Sequence, residues 1–180
     1  MSSSLIPNFE SMAVNLGTYT FSSTSSYALP NNIFSNNFNN YYIIINAMQI
    51  TTAANPYFRL RANGADDTAG NYYYGSYGWS SGGAAINRAG TGGSAIYMTG
   101  ATTVKADSVY NTYELKMFTP LNPTGRKNYS FQSNYWNSSN VQNTLIGGGF
   151  NSTAGAADSL SFNTDGGTMT GYITVYGFRS

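Results

Sequence analysis

The sequence has no cysteine and no histidine. The first absence excludes disulfides, thiolate nucleophiles and thiolate metal ligands. The second removes the Ser-His-Asp triad, imidazole general bases and nearly every zinc site. Charge is scarce as well. Only 8% of the 180 residues are charged, and the formal net charge is +1, so there is no electrostatic footprint for duplex nucleic acid. Long apolar runs are missing. The longest, around Tyr41–Met48 (YYIIINAM), is far short of the roughly 20 residues a spanning helix needs. The start, MSSSLIPNF, has neither a basic region nor an apolar stretch and does not read as a signal peptide. The expectation is synthesis in a cytoplasm and no membrane partner.

Aliphatic residues are also few: Leu, Ile, Val and Phe together fall under about 20%, a level that often accompanies disorder. Disorder also calls for high net charge and few aromatics. Here aromatics reach 16%, with 16 Tyr and 10 Phe, and 22 residues are Asn. Tyr and Thr favour pleated, half-buried surfaces, so an ordered β protein is expected. Its Asn-, Ser- and Thr-rich surface would stay soluble through neutral hydrogen bonds that salt does not screen.

Residues 1–16 lack clean alternation and read as an N-terminal arm. Its Leu5, Ile6, Phe9 and Met12 are candidates for docking on a neighbouring subunit; the plain alternative is a frayed terminus. From Gly17 the period is two, with Tyr19 and Phe21 against Thr18 and Thr20. In the next strand Tyr42, Ile44, Met48 and Ile50 share one parity and Ile43, Ile45 and Ala47 the other. Both faces are apolar, which predicts a central strand. Phe58 and Leu60 alternate with Tyr57, Arg59 and Arg61 before an Asn63-Gly64 turn. Asn71–Tyr74 resumes a strand. The Gly- and Ser-rich stretch Gly75–Ser94 reads as a long loop or loose edge. Further strands are expected near 95–99, 110–118, 128–136, 142–150, 159–163 and 171–178, with a hairpin tip at Leu121–Lys127. No segment carries a 3.6 period. Nine or ten strands at such spacing predict one all-β domain over residues 17–180, an antiparallel, jelly-roll-like sandwich.

The seven Asp and Glu residues fall mostly in turns, where Asp bonds its own backbone. A glycosidase would need two facing across a cleft. Asn63–Asp67 offers oxygen atoms for calcium around Asp66 and Asp67, without the EF-hand spacing. Glu114 and Lys116 share a parity, which suggests a same-face ion pair. No catalytic residue, metal ligand or cofactor is expected. The most distinctive feature is aromatic: Tyr72, Tyr73, Tyr74, Tyr77 and Trp79 lie within eight residues, and Tyr135-Trp136 ends another strand. Such rings beside Asn can fill a core, build a subunit interface or stack on sugars. If they contact a glycan or partner, Tyr74, Tyr77, Trp79 and Trp136 are the candidates.

Two segments resemble tailed-bacteriophage virion proteins. Tyr57–Tyr74 (YFRLRANGADDTAGNYYY) is similar to a strand–turn–strand of that group, and Gly171–Arg179 (GYITVYGFR) to its closing strand. The resemblance implies a jelly-roll-like fold on a phage particle and carries no functional residue across. It implies a virion location and virion partners, the major capsid protein first. It further implies a homo-oligomer, with a trimer as the first arrangement to test. The function expected on this basis is non-enzymatic: a capsid decoration or cement protein outside the head. The alternative is a tail-fibre or spike receptor-binding module, lectin-like, contacting host glycans.

Overall fold

The computed structural model describes residues 13–106 and 111–179. The arm candidates Leu5, Ile6, Phe9 and Met12 lie outside the described residues. The chain folds as two antiparallel sheets. The larger has eight strands in the order β1 (Ala13–Thr24), β13 (Met169–Phe178), β3 (Asn40–Ile50), β9 (Asn111–Phe118), β10 (Lys127–Trp136), β11 (Gln142–Asn151), β6 (Tyr72–Ser80) and β7 (Ala85–Gly93). The smaller runs β2 (Ser26–Ala28), β12 (Ser159–Thr164), β4 (Pro56–Ala62) and β5 (Ala65–Asp66), and β8 (Ile96–Tyr97) also pairs β4. The chain crosses repeatedly from sheet to sheet, as expected of a jelly-roll-like sandwich. The first strand starts at Ala13, so residues 13–16, assigned to the arm from sequence, belong to the sheet.

The core lies between the sheets. Ile43, Ile45, Tyr113, Leu115, Leu145, Ile173 and Val175 project from the large sheet, and Phe58, Leu60, Leu160 and Phe162 from the small one. Tyr substitutes for the scarce aliphatics. Tyr41, Tyr72, Tyr113 and Tyr135 are among the largest fully buried side chains. Most of their hydroxyls reach backbone: Tyr41 donates to the carbonyl of Ser35, Tyr72 to that of Asp67, and Tyr135 accepts from the Gly100 N–H.

β3 is central, between β13 and β9. Its two apolar parities have a different cause from the one expected. A register shift between Ile45 and Met48 places Ile43 and Ile45 on the same buried face as Met48 and Ile50. Tyr42 and Ile44 are left half-exposed on the other side.

Gly75–Ser94 corrects the loop expectation. β6 continues through Gly75 to Ser80, turns at residues 81–84, and returns as the edge strand β7. The glycines serve packing here. A Cβ on Gly78 would lie 1.9 Å from the Thr144 carbonyl oxygen of β11. The Asn63-Gly64 turn forms as expected, with positive φ at both residues (52° and 80°).

Candidate binding face

The outer face of the large sheet, turned away from the core, gathers the exposed rings. Alternation along β6 sends Tyr72, Tyr74 and Ser76 inward and Tyr73, Gly75, Tyr77 and Trp79 outward. Tyr77 is 50% and Trp79 55% exposed, and their rings meet edge-on at 4.9 Å. Ile146 of β11 pairs directly with Tyr77 and is 59% exposed. The register continues this row through Gln132 and Glu114 to Ile44, Thr174 and Thr18. Next to it, Trp79 pairs with Thr144, whose hydroxyl bonds the Asn134 amide oxygen at 2.9 Å. An apolar ring pair thus lies beside fixed neutral hydrogen-bonding groups.

Of the four contact candidates, Tyr77, Trp79 and the half-buried Trp136 face outward. Tyr74 does not. Its parity points it into the sandwich, only 9% exposed, and burial raises its hydroxyl pKa. The alternation Tyr73/Tyr77/Trp79 was readable in the sequence only if β6 was extended through its glycines. Ile146 carried no such signal, because its role depends on lying beside Tyr77.

A second row of the same face is nearly bare. Gly75 pairs with Gly148, Gly148 with Ser130, Ser130 with Lys116, and Lys116 with Tyr42. Beyond it, Tyr73 stacks on Phe150 (4.9 Å, 14° between planes), and the Arg126 guanidinium sits 4.1 Å from the centre of the Phe150 ring. Where β3, β9 and β13 end, the face deepens into a cleft of about 600 Å³ lined by Tyr42, Lys116, Phe118, Phe178 and Arg179. Glu114 does not form the expected ion pair with Lys116. Its carboxylate accepts from the Tyr42 hydroxyl at 2.5 Å, and Lys116 instead lies 5.8 Å from the Tyr42 ring centre. Burial and then the Glu114 hydrogen bond push the Tyr42 pKa up to about 12.

The aspartates behave as structural groups. Asp66 forms an ion pair with Arg61 at 2.5 Å and accepts from the Ser161 hydroxyl. Asp67 accepts from Asn151, Thr153 and the Ala69 N–H. Burial alone would raise its pKa, but these hydrogen bonds outweigh it and hold the carboxyl below its ordinary value. Asp158 accepts from the Asn63 N–H, and Asp165 from Asn55. Asp66, Asp67 and Asp158 line one cleft of about 520 Å³. Among the described residues no group of three or more acidic side chains is arranged to hold a metal ion.

These features define an antiparallel β-sandwich with a sparsely charged, aromatic outer face. No protein-family model and no curated protein matches the chain. Among solved structures it is similar to Scytalido-glutamic peptidase, crystallised with a peptide-based transition state analog, at 9% identity and a TM-score of 0.30. The match covers 87% of this chain, which spans 65% of that one, somewhat less than two thirds.

Proposed function

We propose that this chain is a non-enzymatic protein of a phage particle's exterior and that it contacts host-surface glycans through the outer face of its large sheet. The observation that carries the reading is the exposed pair Tyr77 and Trp79 with Ile146 beside them. Such rings, half bare to water and flanked by Thr144, Asn134 and Gln132, offer a flat apolar surface and neutral donors and acceptors together, the combination a sugar ring presents in return. The virion assignment is supported by the resemblance of Tyr57–Tyr74 and Gly171–Arg179 to phage proteins. Binding of immobilised glycans tests the reading. Trp79→Ala weakens binding by roughly tenfold, the loss of about 1.4 kcal/mol of ring stacking, with the fold intact. A protein that binds no glycan on a broad array overturns it.

Capsid decoration is the second reading, and one observation favours it. β1, which follows the candidate arm residues Leu5, Ile6, Phe9 and Met12 in sequence, is an edge strand of the large sheet. Gold-labelled antibody on purified virions decides: label over the head supports decoration, label on the tail the receptor-binding reading. A variant lacking residues 2–12 that still joins particles removes the arm's role.

A further inference from the structure

We propose that the bare row across the outer face is a trough for a linear glycan, and that Lys116 and Arg179 at its end receive an anionic group, carboxylate or phosphate, on one of the sugar units. The inference rests on the glycan-binding reading and assigns that site its path and charge.

The trough follows from side-chain size. Its floor is Gly75, Gly148 and Ser130, three outward positions in direct register on neighbouring strands. A Cβ at Gly75 would meet nothing within 4 Å, so the space above it is open. One wall is the stacked Tyr73 and Phe150; the other is Tyr77, Ile146 and Gln132. At about 3.4 Å per residue the two wall rows stand roughly 13 Å apart, and at about 4.8 Å per strand the floor runs roughly 14 Å from β6 to Lys116 on β9. It leads into the cleft beneath Tyr42, Phe118 and Phe178. Phe118 is 39% exposed there.

Charge selects the occupant. Lys116 and Arg179 are exposed and make no ion pair with any described residue; Arg61–Asp66 is the ion pair found among those residues. Glu114, the neighbouring carboxylate, is engaged by the Tyr42 hydroxyl. Arg126 is not at that end: it sits against the Phe150 wall on β11, two strands from Lys116. The rest of the trough is lined by Ser130, Gln132, Asn128 and rings. A single-stranded nucleic acid would place a phosphate at every unit and calls for cations along the whole path. Lys116 and Arg179 together at one end of a sparsely charged path, with Arg126 alone on a wall, suit a mostly neutral chain with a localised anion.

The test is calorimetry on the full chain with four probes: a neutral glucan oligosaccharide, the same oligosaccharide with one terminal uronate unit, the same oligosaccharide with one terminal phosphate, and oligo(dT). The trough is blocked by Gly75→Tyr, and the anion seat is removed separately by Lys116→Gln and Arg179→Gln. An anionic glycan should bind wild type more tightly than the glucan. That advantage should fall roughly tenfold in either charge variant and shrink with added salt. Gly75→Tyr should weaken all sugars; if it disturbs the sheet by circular dichroism, the exposed Lys116→Gln still decides. The single-uronate and single-phosphate arms distinguish carboxylate from phosphate. Sugar binding that needs Trp79 but ignores Gly75→Tyr and both charge variants overturns the trough and leaves the glycan reading standing. Oligo(dT) binding more tightly than any sugar overturns the inference, and no sugar binding at all overturns both.

Discussion

Two buried polar groups illustrate opposite outcomes at the scale of single residues. The Tyr113 hydroxyl is fully buried without a hydrogen-bond partner among the described residues, and burial drives its pKa well up. Its ring packs against Phe162. Tyr113→Phe keeps the ring and removes the unpaired hydroxyl, so it should leave stability unchanged or raise it by about 1 kcal/mol, read from urea midpoints. Asp67 is the converse, a carboxylate whose ionised form is held by four donors. Its folded pKa is depressed, so its contribution is complete above the ordinary carboxylate value near about 4 and fades as pH falls through the lower folded value. Asp67→Asn should therefore cost about 2 kcal/mol at neutral pH, and the gap to wild type should close on acidification.

At the scale of elements, glycine sets what each strand can do. Gly149 faces inward on β11, where a Cβ would stand 1.9 Å from the Tyr73 carbonyl oxygen and 2.8 Å from the Tyr129 hydroxyl. Gly149→Ala should destabilise by about 3 kcal/mol or more, because backbone must move, whereas Gly75→Ala should be nearly silent in a thermal melt. These glycines also mark where sequence reading succeeded and failed. Strands with two-residue alternation and large side chains, such as Pro56–Ala62 or Lys127–Trp136, were legible because burial alternates with them. The hairpin of β6 and β7 was not, since Gly75, Gly78, Gly90 and Gly92 leave no alternation to read, although at Gly78 and Gly90 the small size is what makes room for the Thr144 carbonyl and the Tyr74 ring. The parity break in β3 was visible in its residues but not its cause, because a bulge is defined by the partner strand. Of the candidate binding face, Tyr77, Trp79 and Trp136 were legible as rings, while Ile146, Lys116 and the glycine floor are brought beside them only through register.

For the whole molecule, scarcity of charge is the governing property. One ion pair, Arg61–Asp66, is found among the described residues, and exposed or half-exposed pairs contribute about 1 kcal/mol or less. The thermal midpoint should therefore move by no more than about 3 °C between about 20 mM and about 1 M sodium chloride. Binding of an anionic glycan at Lys116 and Arg179 should weaken over the same range. The two measurements together separate a fold indifferent to ionic strength from a site that is not.

The first and last strands, β1 and β13, lie side by side with Ala13 opposite Phe178. Anything joined before Ala13 and anything joined after Phe178 leaves the sandwich at the same corner. A pull between those two ends meets the β1–β13 ladder as a zipper, one hydrogen bond at a time, and each is worth only about 1 kcal/mol. A pull between the β1 end and the outer face is spread over neighbouring strands instead. Force applied across the two ends of the chain should therefore open the sandwich at β1 before any other strand parts.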